Sequence, residues 1–163
     1  MKLAAIDLGS NPFHAVVVEV LASGGFRVVD REKKMVRLGS ETLASGRLPA
    51  AAMKRGLEVL RKYKRLLESH RVDKILAVAT SAIREAGNGE DFLRRVGRET
   101  GIWSRVASRE EEGRLIYLAA LHSVHLEGRA LVVDIGGGSV ELVLGVGANV
   151  ERIVSEKDRK SVV

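Results

Sequence analysis

The chain has 163 residues, of which 45% are hydrophobic and 4% are aromatic, and its net charge is +6 at pH 7. This length suits one domain, or one domain and part of another, with an aliphatic core. The sequence has no cysteine, which excludes disulfides and thiolate metal sites. It shows neither a bilayer-spanning apolar run nor a signal stretch, so we expect a cytoplasmic protein with no membrane partner.

The basic charge, with a pI of about 9.9, favours polyanionic partners. Nucleic acid, polyphosphate and a highly phosphorylated nucleotide all satisfy this condition. A modest basic excess also serves solubility alone, so the charge leaves these alternatives open. We expect no specific nucleic-acid partner.

Apolar periodicity and turn residues predict the elements of the first part of the chain. Three strands are expected over 2–8, 13–20 and 26–37, followed by a loop over 38–48. The elements predicted after this loop are a helix over 50–69, a strand over 72–80, a helical turn over 81–84, a helix over 88–100 capped by Asn88, a strand over 102–106 and a helix over 109–124.

Three further strands are predicted near 130–134, 139–145 and 148–154, before a charged, irregular tail over 155–163. The order βββαβαβα predicts an α/β domain with a mixed sheet. We therefore expect a complete domain over 1–127 and the first strands of a second domain over 128–154. The second sheet would be incomplete, with open edges that invite pairing.

The stretch from Leu131 to Leu144 reads as a strand, a glycine turn and a second strand. Glycines have no Cβ, so the backbone N–H groups of Gly136, Gly137 and Gly138 can approach an oxyanion closely. Asp134, at the end of the first strand, can hold a metal directly or through water. The turn therefore suits a phosphate carried on a hard cation.

A second copy of this pattern lies near the N-terminus, in Ala5-Ile6-Asp7-Leu8-Gly9-Ser10-Asn11. The aspartates of the two copies are 127 positions apart. This repetition indicates an internal duplication with one phosphate loop in each half. Two such loops, facing each other across a cleft, would grip a phosphate chain from both sides.

Three acidic residues follow Ser108. Ser108 and Glu111 have the spacing of a capping box, and Glu110 suits the positive end of a helix dipole. Capping explains Glu112 less well, and the adjacent Gly113 permits the close approach of another group.

Two further charged residues have both a structural and a functional interpretation. Arg84 stands at a predicted helix start, where it can clasp a phosphate or pair with Glu85 or Glu90. Glu141 interrupts an apolar strand, where an exposed position also explains it.

These patterns together resemble the exopolyphosphatase/guanosine pentaphosphate phosphohydrolase family, a branch of the actin-like ATPase superfamily with ribonuclease H-like domains. Four ordered motifs carry the resemblance, which extends from residue 2 to about 150. They are residues 5–11, Ala79-Thr80-Ser81-Ala82-Ile83-Arg84-Glu85-Ala86, the stretch from Ser108 to Tyr117, and the stretch from Val133 to Leu142. Members of this family continue well beyond the point that this chain reaches, so we expect an unfinished second domain.

The resemblance implies roles for individual residues. Glu112 would be the catalytic base that activates water, and Asp134, Glu141 and Asp7 would hold Mg²⁺ or another divalent cation. The residues implied in phosphate binding are Ser10, Asn11, Arg84, Gly136, Gly137, Gly138 and Ser139. Pro12 departs from the family pattern and removes one N–H donor from the first loop.

By this resemblance the parent enzyme releases terminal phosphate from inorganic polyphosphate, or the 5′ phosphate from guanosine pentaphosphate, and the full-length protein is a homodimer. Two alternatives remain: a sugar-kinase-like phosphotransferase, and an inactive fragment or alarmone-binding module. We expect the 163-residue chain alone to have little activity.

Overall fold

The computed structural model describes residues 1–39, 42 and 45–157. The chain divides into two compact units, Met1–Val106 and Ala107–Val163, each of which contains one sheet. This division differs from the predicted boundary at 127 because the helix Arg109–Ser123 packs on the strands that follow it. No helix in the described part of the chain is both long and apolar enough to cross a membrane.

The first unit contains a five-stranded mixed sheet. Its strands are β1 (Lys2–Leu8), β2 (Phe13–Val20), β3 (Phe26–Lys34), β4 (Lys74–Ala79) and β5 (Arg105–Val106). Their order is β3-β2-β1-β4-β5. The pairs β1–β2 and β2–β3 are antiparallel, whereas β4 runs parallel to both β1 and β5. The predicted mixed sheet is therefore present.

Three helices belong to this first unit: α1 (Ala50–Ser69), α2 (Ser81–Glu85) and α3 (Gly89–Thr100). The two long helices and β2 meet at Gly56 of α1, where an added Cβ would lie 3.0 Å from Phe92 and 3.5 Å from Phe13. Alternate residues of β1 and β2, among them Ile6 and Leu8, join the same buried hydrophobic cluster. One face of the sheet is thus the core of the unit.

Several predicted boundaries need correction. β3 ends at Lys34 rather than at 37, because Arg37 adopts a left-handed conformation (φ 55°) and the N–H of Leu38 bonds to the carbonyl of Ser10. Asn88 occupies the N-cap position of α3, but its side chain bonds instead to both backbone groups of Leu48.

Two other predicted segments also differ. β5 is only two residues long, because Ile102 is buried and its N–H bonds to the side chain of Thr100 before the strand begins. Within the predicted loop over 38–48, residues 39, 42 and 45 are helical, and residues 40, 41, 43 and 44 lie outside the described part of the chain.

The second unit consists of α4 (Arg109–Ser123) and the strands β6 (Arg129–Ile135), β7 (Ser139–Val146) and β8 (Asn149–Lys157). The strands form an antiparallel meander in the order β6-β7-β8. Ser108 caps α4 as predicted, since its hydroxyl accepts a hydrogen bond from the N–H of Glu111. β8 extends to Lys157, so the start of the predicted irregular tail is strand, and residues 158–163 lie outside the description.

The two faces of this second sheet are unlike. Val143 and Gly145 of β7 lie against α4 and are buried. On β6, by contrast, Leu131, Val133 and Ile135 expose 61%, 51% and 76% of their surface. Among the described residues β6 and β8 pair only with β7, so each keeps one open edge.

We predict opposite effects for the removal of two buried tyrosine hydroxyls. The Tyr63 hydroxyl donates to the carbonyl of Phe13 at 2.9 Å, and burial raises the pKa of Tyr63 to about 12, which keeps the proton in place. The equally buried Tyr117 hydroxyl has no hydrogen-bond partner among the described residues. Tyr63→Phe should lower the free energy of unfolding by about 1 kcal/mol, whereas Tyr117→Phe should leave it equal or higher. Denaturant unfolding of both variants measures this difference. Equal decreases in the free energy of unfolding would contradict the conclusion that only the Tyr63 hydroxyl forms a stabilising hydrogen bond.

Candidate functional site

Ser10 fixes the first loop to the start of α2. Its buried hydroxyl lies 2.7 Å from that of Ser81 and accepts a hydrogen bond from the N–H of Ala82 at 3.1 Å. Its carbonyl accepts hydrogen bonds from the N–H groups of Leu38 and Gly39. Ser10 is therefore a structural junction of the loop, and its role as a phosphate ligand stays a prediction.

The other polar residues of this loop are also held by the first unit. The Asn11 side-chain oxygen accepts a hydrogen bond from the N–H of Arg37 at 3.1 Å. A Cβ on Gly9 would lie 3.4 Å from the Asp7 carboxylate and 2.9 Å from the carbonyl of Pro12. Glycine at position 9 thus gives the Asp7 carboxylate room beside the turn.

Arg84 lies on the short helix α2, with only 14% of its side chain exposed. Its Nε is 3.8 Å from the Glu85 carboxylate, so the predicted pairing with Glu85 is present. The residue also lines a cavity of about 380 Å³, to which Asp91 and Arg94 contribute charge. Its role in phosphate binding stays a prediction.

In the second unit, α4 lies unusually close to the sheet. A Cβ on Gly113 would lie 2.7 Å from a methyl of Ile153 and 3.3 Å from a methyl of Val143. One helical turn further on, Tyr117 covers Gly145, where an added Cβ would lie 2.6 Å from the ring. These contacts hold Glu112, the residue next to Gly113, close to β7 and β8.

Glu141 is the buried acid of this unit, with 1% of its surface exposed. Glu141 lies two residues from Ser139 and two residues from Val143 on β7. Side chains two residues apart in a strand point to the same face, so these three share one face of the sheet. Burial raises the pKa of Glu141, and the negative charges of Glu112 and Asp134 raise it further. Both predicted carboxylates, Glu112 and Asp134, thus lie close enough to act on Glu141.

Two serine hydroxyls oppose this rise in the pKa of Glu141. Ser155, the partner of Glu141 in the pairing of β7 with β8, donates to its carboxylate at 3.1 Å. Ser139, at the start of β7, also bonds to the carboxylate. The Ser139 hydroxyl, which was predicted to bind phosphate, is thus hydrogen-bonded to Glu141 in this structure.

The glycine turn has the predicted strand–turn–strand form. The N–H of Gly136 donates to the carbonyl of Ser139 at 2.9 Å and closes the turn. Gly137 is exposed, whereas Gly138 is buried. Binding of phosphate by these three glycines stays a prediction.

The predicted metal ligands are divided between the two units. Asp7 belongs to the first unit, and Asp134 and Glu141 face each other across the β6–β7 pair in the second. Within residues 1–39, 42 and 45–157, no group of three or more histidine, aspartate or glutamate side chains is placed to hold a metal ion. The metal assignment therefore stays a prediction.

Strand pairing reveals two positions that the sequence interpretation missed. Asp7 pairs with His14 across β1 and β2, just as Asp134 pairs with Glu141 across β6 and β7. His14 and Glu141 are again 127 positions apart, which is the signal that would have paired them. Ser155 carried no such signal, because its link to Glu141 depends on the register of β8.

The chain is similar to proteins of a known phosphatase family. Residues 16–157 match the model of the Ppx/GppA phosphatase family. The Aquifex aeolicus family member is 38% identical over 96% of this chain, with a TM-score of 0.83. An exopolyphosphatase from Cytophaga hutchinsonii is 29% identical over 97% of this chain, with a TM-score of 0.93.

The chain spans about half the length of these relatives, 51% in both cases. A more distant structure, the ethanolamine utilization protein EutJ from Carboxydothermus hydrogenoformans, covers 96% of the chain at 16% identity with a TM-score of 0.54. That likeness concerns the fold alone. The predicted actin-like α/β fold class is confirmed.

We predict a pH-dependent effect for Glu141→Gln. Because the folded-state pKa of Glu141 lies above its ordinary value of 4.5, its contribution to stability is fully present below pH 4.5 and is lost as the pH rises through the folded pKa. The gain in unfolding free energy of Glu141→Gln over wild type should therefore grow between pH 4 and pH 7. Urea unfolding in a chelating buffer measures it.

The matched control for this experiment is Glu156→Gln, since Glu156 is exposed on β8. At pH 7 its gain in unfolding free energy over wild type should be smaller than that of Glu141→Gln, because the side chain of Glu156 stays exposed. A gain for Glu141→Gln that does not change with pH would contradict burial as the cause of the raised pKa of Glu141.

Proposed function

The chain belongs to the Ppx/GppA phosphatase family, and on that premise we propose that it forms part of a phosphohydrolase acting on a terminal phosphate. The substrate would be inorganic polyphosphate or guanosine pentaphosphate. The observation that carries the proposal is the placement of Glu112 beside the buried Glu141, with α4 held against the sheet at Gly113.

Glu112 would accept a proton from the attacking water. The water oxygen forms a bond to the terminal phosphorus as the bond from phosphorus to the bridging oxygen breaks. The shortened phosphate chain leaves with the electron pair of that bond. Glu112 suits this role because α4 fixes the backbone that carries it.

The donor chemistry of the second unit suits a divalent cation. Asp134 and Glu141 offer carboxylate oxygens, which are the ligands that Mg²⁺ prefers. Burial, and after it the charges of Glu112 and Asp134, raise the pKa of Glu141, and a bound cation would favour its charged form. When bound, Mg²⁺ would neutralise charge on the phosphate oxygens. We propose these two residues as its ligands, and the role of Asp7 stays a prediction from the family resemblance.

The glycine turn and Arg84 would supply charge stabilisation. Backbone N–H groups of Gly136–Gly138 and a guanidinium group act on the oxygens where negative charge develops in the transition state. Ser139 would act indirectly, because its hydroxyl supports Glu141. Cytoplasmic location remains a proposal from the sequence features given above, and homodimerisation of the whole protein remains a proposal from the family resemblance.

Glu112→Gln should lower kcat by roughly 10²–10⁴-fold, the usual contribution of a general base. The variant is best made in a chimera of residues 1–157 with the remaining half of the Aquifex aeolicus relative, and assayed for phosphate release from polyphosphate with Mg²⁺. Glu111→Gln is the matched control, because Glu111 is in the first turn of the same helix, next in sequence to Glu112. Equal rates for the two variants would refute the assignment of the base.

The 163-residue chain alone should release little phosphate from either substrate. The physical reason is that it covers about half of its relatives, so the residues supplied by their remaining half are missing from the site. A phosphate-release assay with and without Mg²⁺ tests this on both substrates. Strong magnesium-dependent release by this chain would contradict the prediction.

A further inference from the structure

A second cavity, of about 340 Å³, lies where the first turns of α4 meet β8. Arginines line it from both elements: Arg109 and Arg114 from the helix and Arg152 from the strand. This volume is at the lower end of the range for small-molecule sites. The cavity therefore has the size and the cationic lining that suit a small anion.

Two glutamates also line this arginine cavity, and each lies beside an arginine. Glu110 is 3.9 Å from Arg114, and Glu151 is 3.1 Å from Arg129. Arg152 is exposed and has no ion-pair partner among the described residues. Three guanidinium groups and two carboxylates thus line the cavity, so the net charge of its lining is positive.

The arginine cavity adjoins the candidate site. Ser155 lines the cavity, and its hydroxyl donates to the Glu141 carboxylate at 3.1 Å. A second wall residue, Ile153, packs against Gly113, the neighbour of Glu112. A ligand in the cavity would therefore lie beside two residues that contact the candidate site.

We propose that the arginine cavity is a subsite for a linear chain of phosphates, which it holds beside Glu112 and Glu141. Guanidinium groups bind phosphate oxygens through two parallel N–H donors, and successive phosphates can engage successive arginines. The inference rests on the proposed function and deepens it by assigning residues that bind the chain away from the reacting phosphate. Inorganic polyphosphate and a nucleoside polyphosphate present the same chemistry.

The test is calorimetric titration of the full chain with inorganic tripolyphosphate, in the absence of divalent cations. Arg152→Ala should raise Kd on the order of tenfold, since one charge-assisted contact is lost. The Kd of Arg152→Lys should fall between those of wild type and Arg152→Ala, because lysine keeps the charge without the planar guanidinium group. Arg114→Ala is a second variant, and thermal melting checks that each variant folds.

Arg98→Ala is the matched control, because Arg98 is an exposed arginine of α3 in the first unit and also has no ion-pair partner among the described residues. Its Kd should equal that of wild type. If Arg98→Ala and Arg152→Ala raise the Kd for tripolyphosphate equally, binding reflects general charge attraction, and the subsite is overturned. Unchanged binding by folded Arg152→Ala and Arg114→Ala would overturn it as well.

Titrations with GTP and with orthophosphate identify the source of the phosphate chain. The subsite is supported if Arg152→Ala raises the Kd for tripolyphosphate, for GTP or for both. It is overturned if neither Kd changes. Orthophosphate should bind more weakly and without dependence on Arg152. Binding needs no turnover, so the two proposals can fail separately. Arg152-dependent binding without phosphate release in the Aquifex chimera would refute the proposed function alone. Phosphate release by the chimera without Arg152-dependent binding would refute the subsite alone.

Discussion

The contact between Gly113 and the sheet is the constraint on which the candidate site depends. With hydrogen in place of a side chain, the helix backbone comes within van der Waals distance of Ile153 and Val143. A larger residue at position 113 would force either the Ile153 side chain or α4 to shift, and a shift of α4 would move Glu112. Glycine has a low helix propensity and weakens α4 at position 113. The same glycine allows Glu112, the candidate base, to lie close to β7 and β8. The helix cap at Ser108 and the ring of Tyr117 on Gly145 fix the same approach from both sides.

Burial of Glu141 is the electrostatic counterpart of this packing. A carboxylate removed from water and placed near Glu112 and Asp134 is costly in its charged form, and the hydrogen bonds from Ser139 and Ser155 only partly offset that cost. Such groups are common where a protein must receive a charged ligand, since the ligand supplies the missing stabilisation. The first unit differs, because Ser10 and Asn11 of its loop already bond to the protein.

Local patterns were sufficient to predict most of the fold. The strand–turn–strand hairpins, the helix over 50–69 and the cap at Ser108 follow from alternation, periodicity and capping chemistry within a few residues. What could not be predicted depends on residues distant in sequence. Asn88 has a capping residue's identity but bonds to Leu48, and Ser155 reaches Glu141 only through the register of β8. Likewise, the position of His14 opposite Asp7 appears only when strands are paired.

The uncovered side of β6 affects how this polypeptide behaves in a crowded solution. Leu131, Val133 and Ile135 form an aliphatic row beside a free strand edge, whereas Ala4, Ile6 and Leu8 of the repeated hairpin are buried. Surfaces of this kind attract chaperones during synthesis and seed cross-β assembly at high concentration. The yield and shelf life of the isolated polypeptide are therefore governed by how this row is shielded, for example by a solubilising fusion partner or a low working concentration.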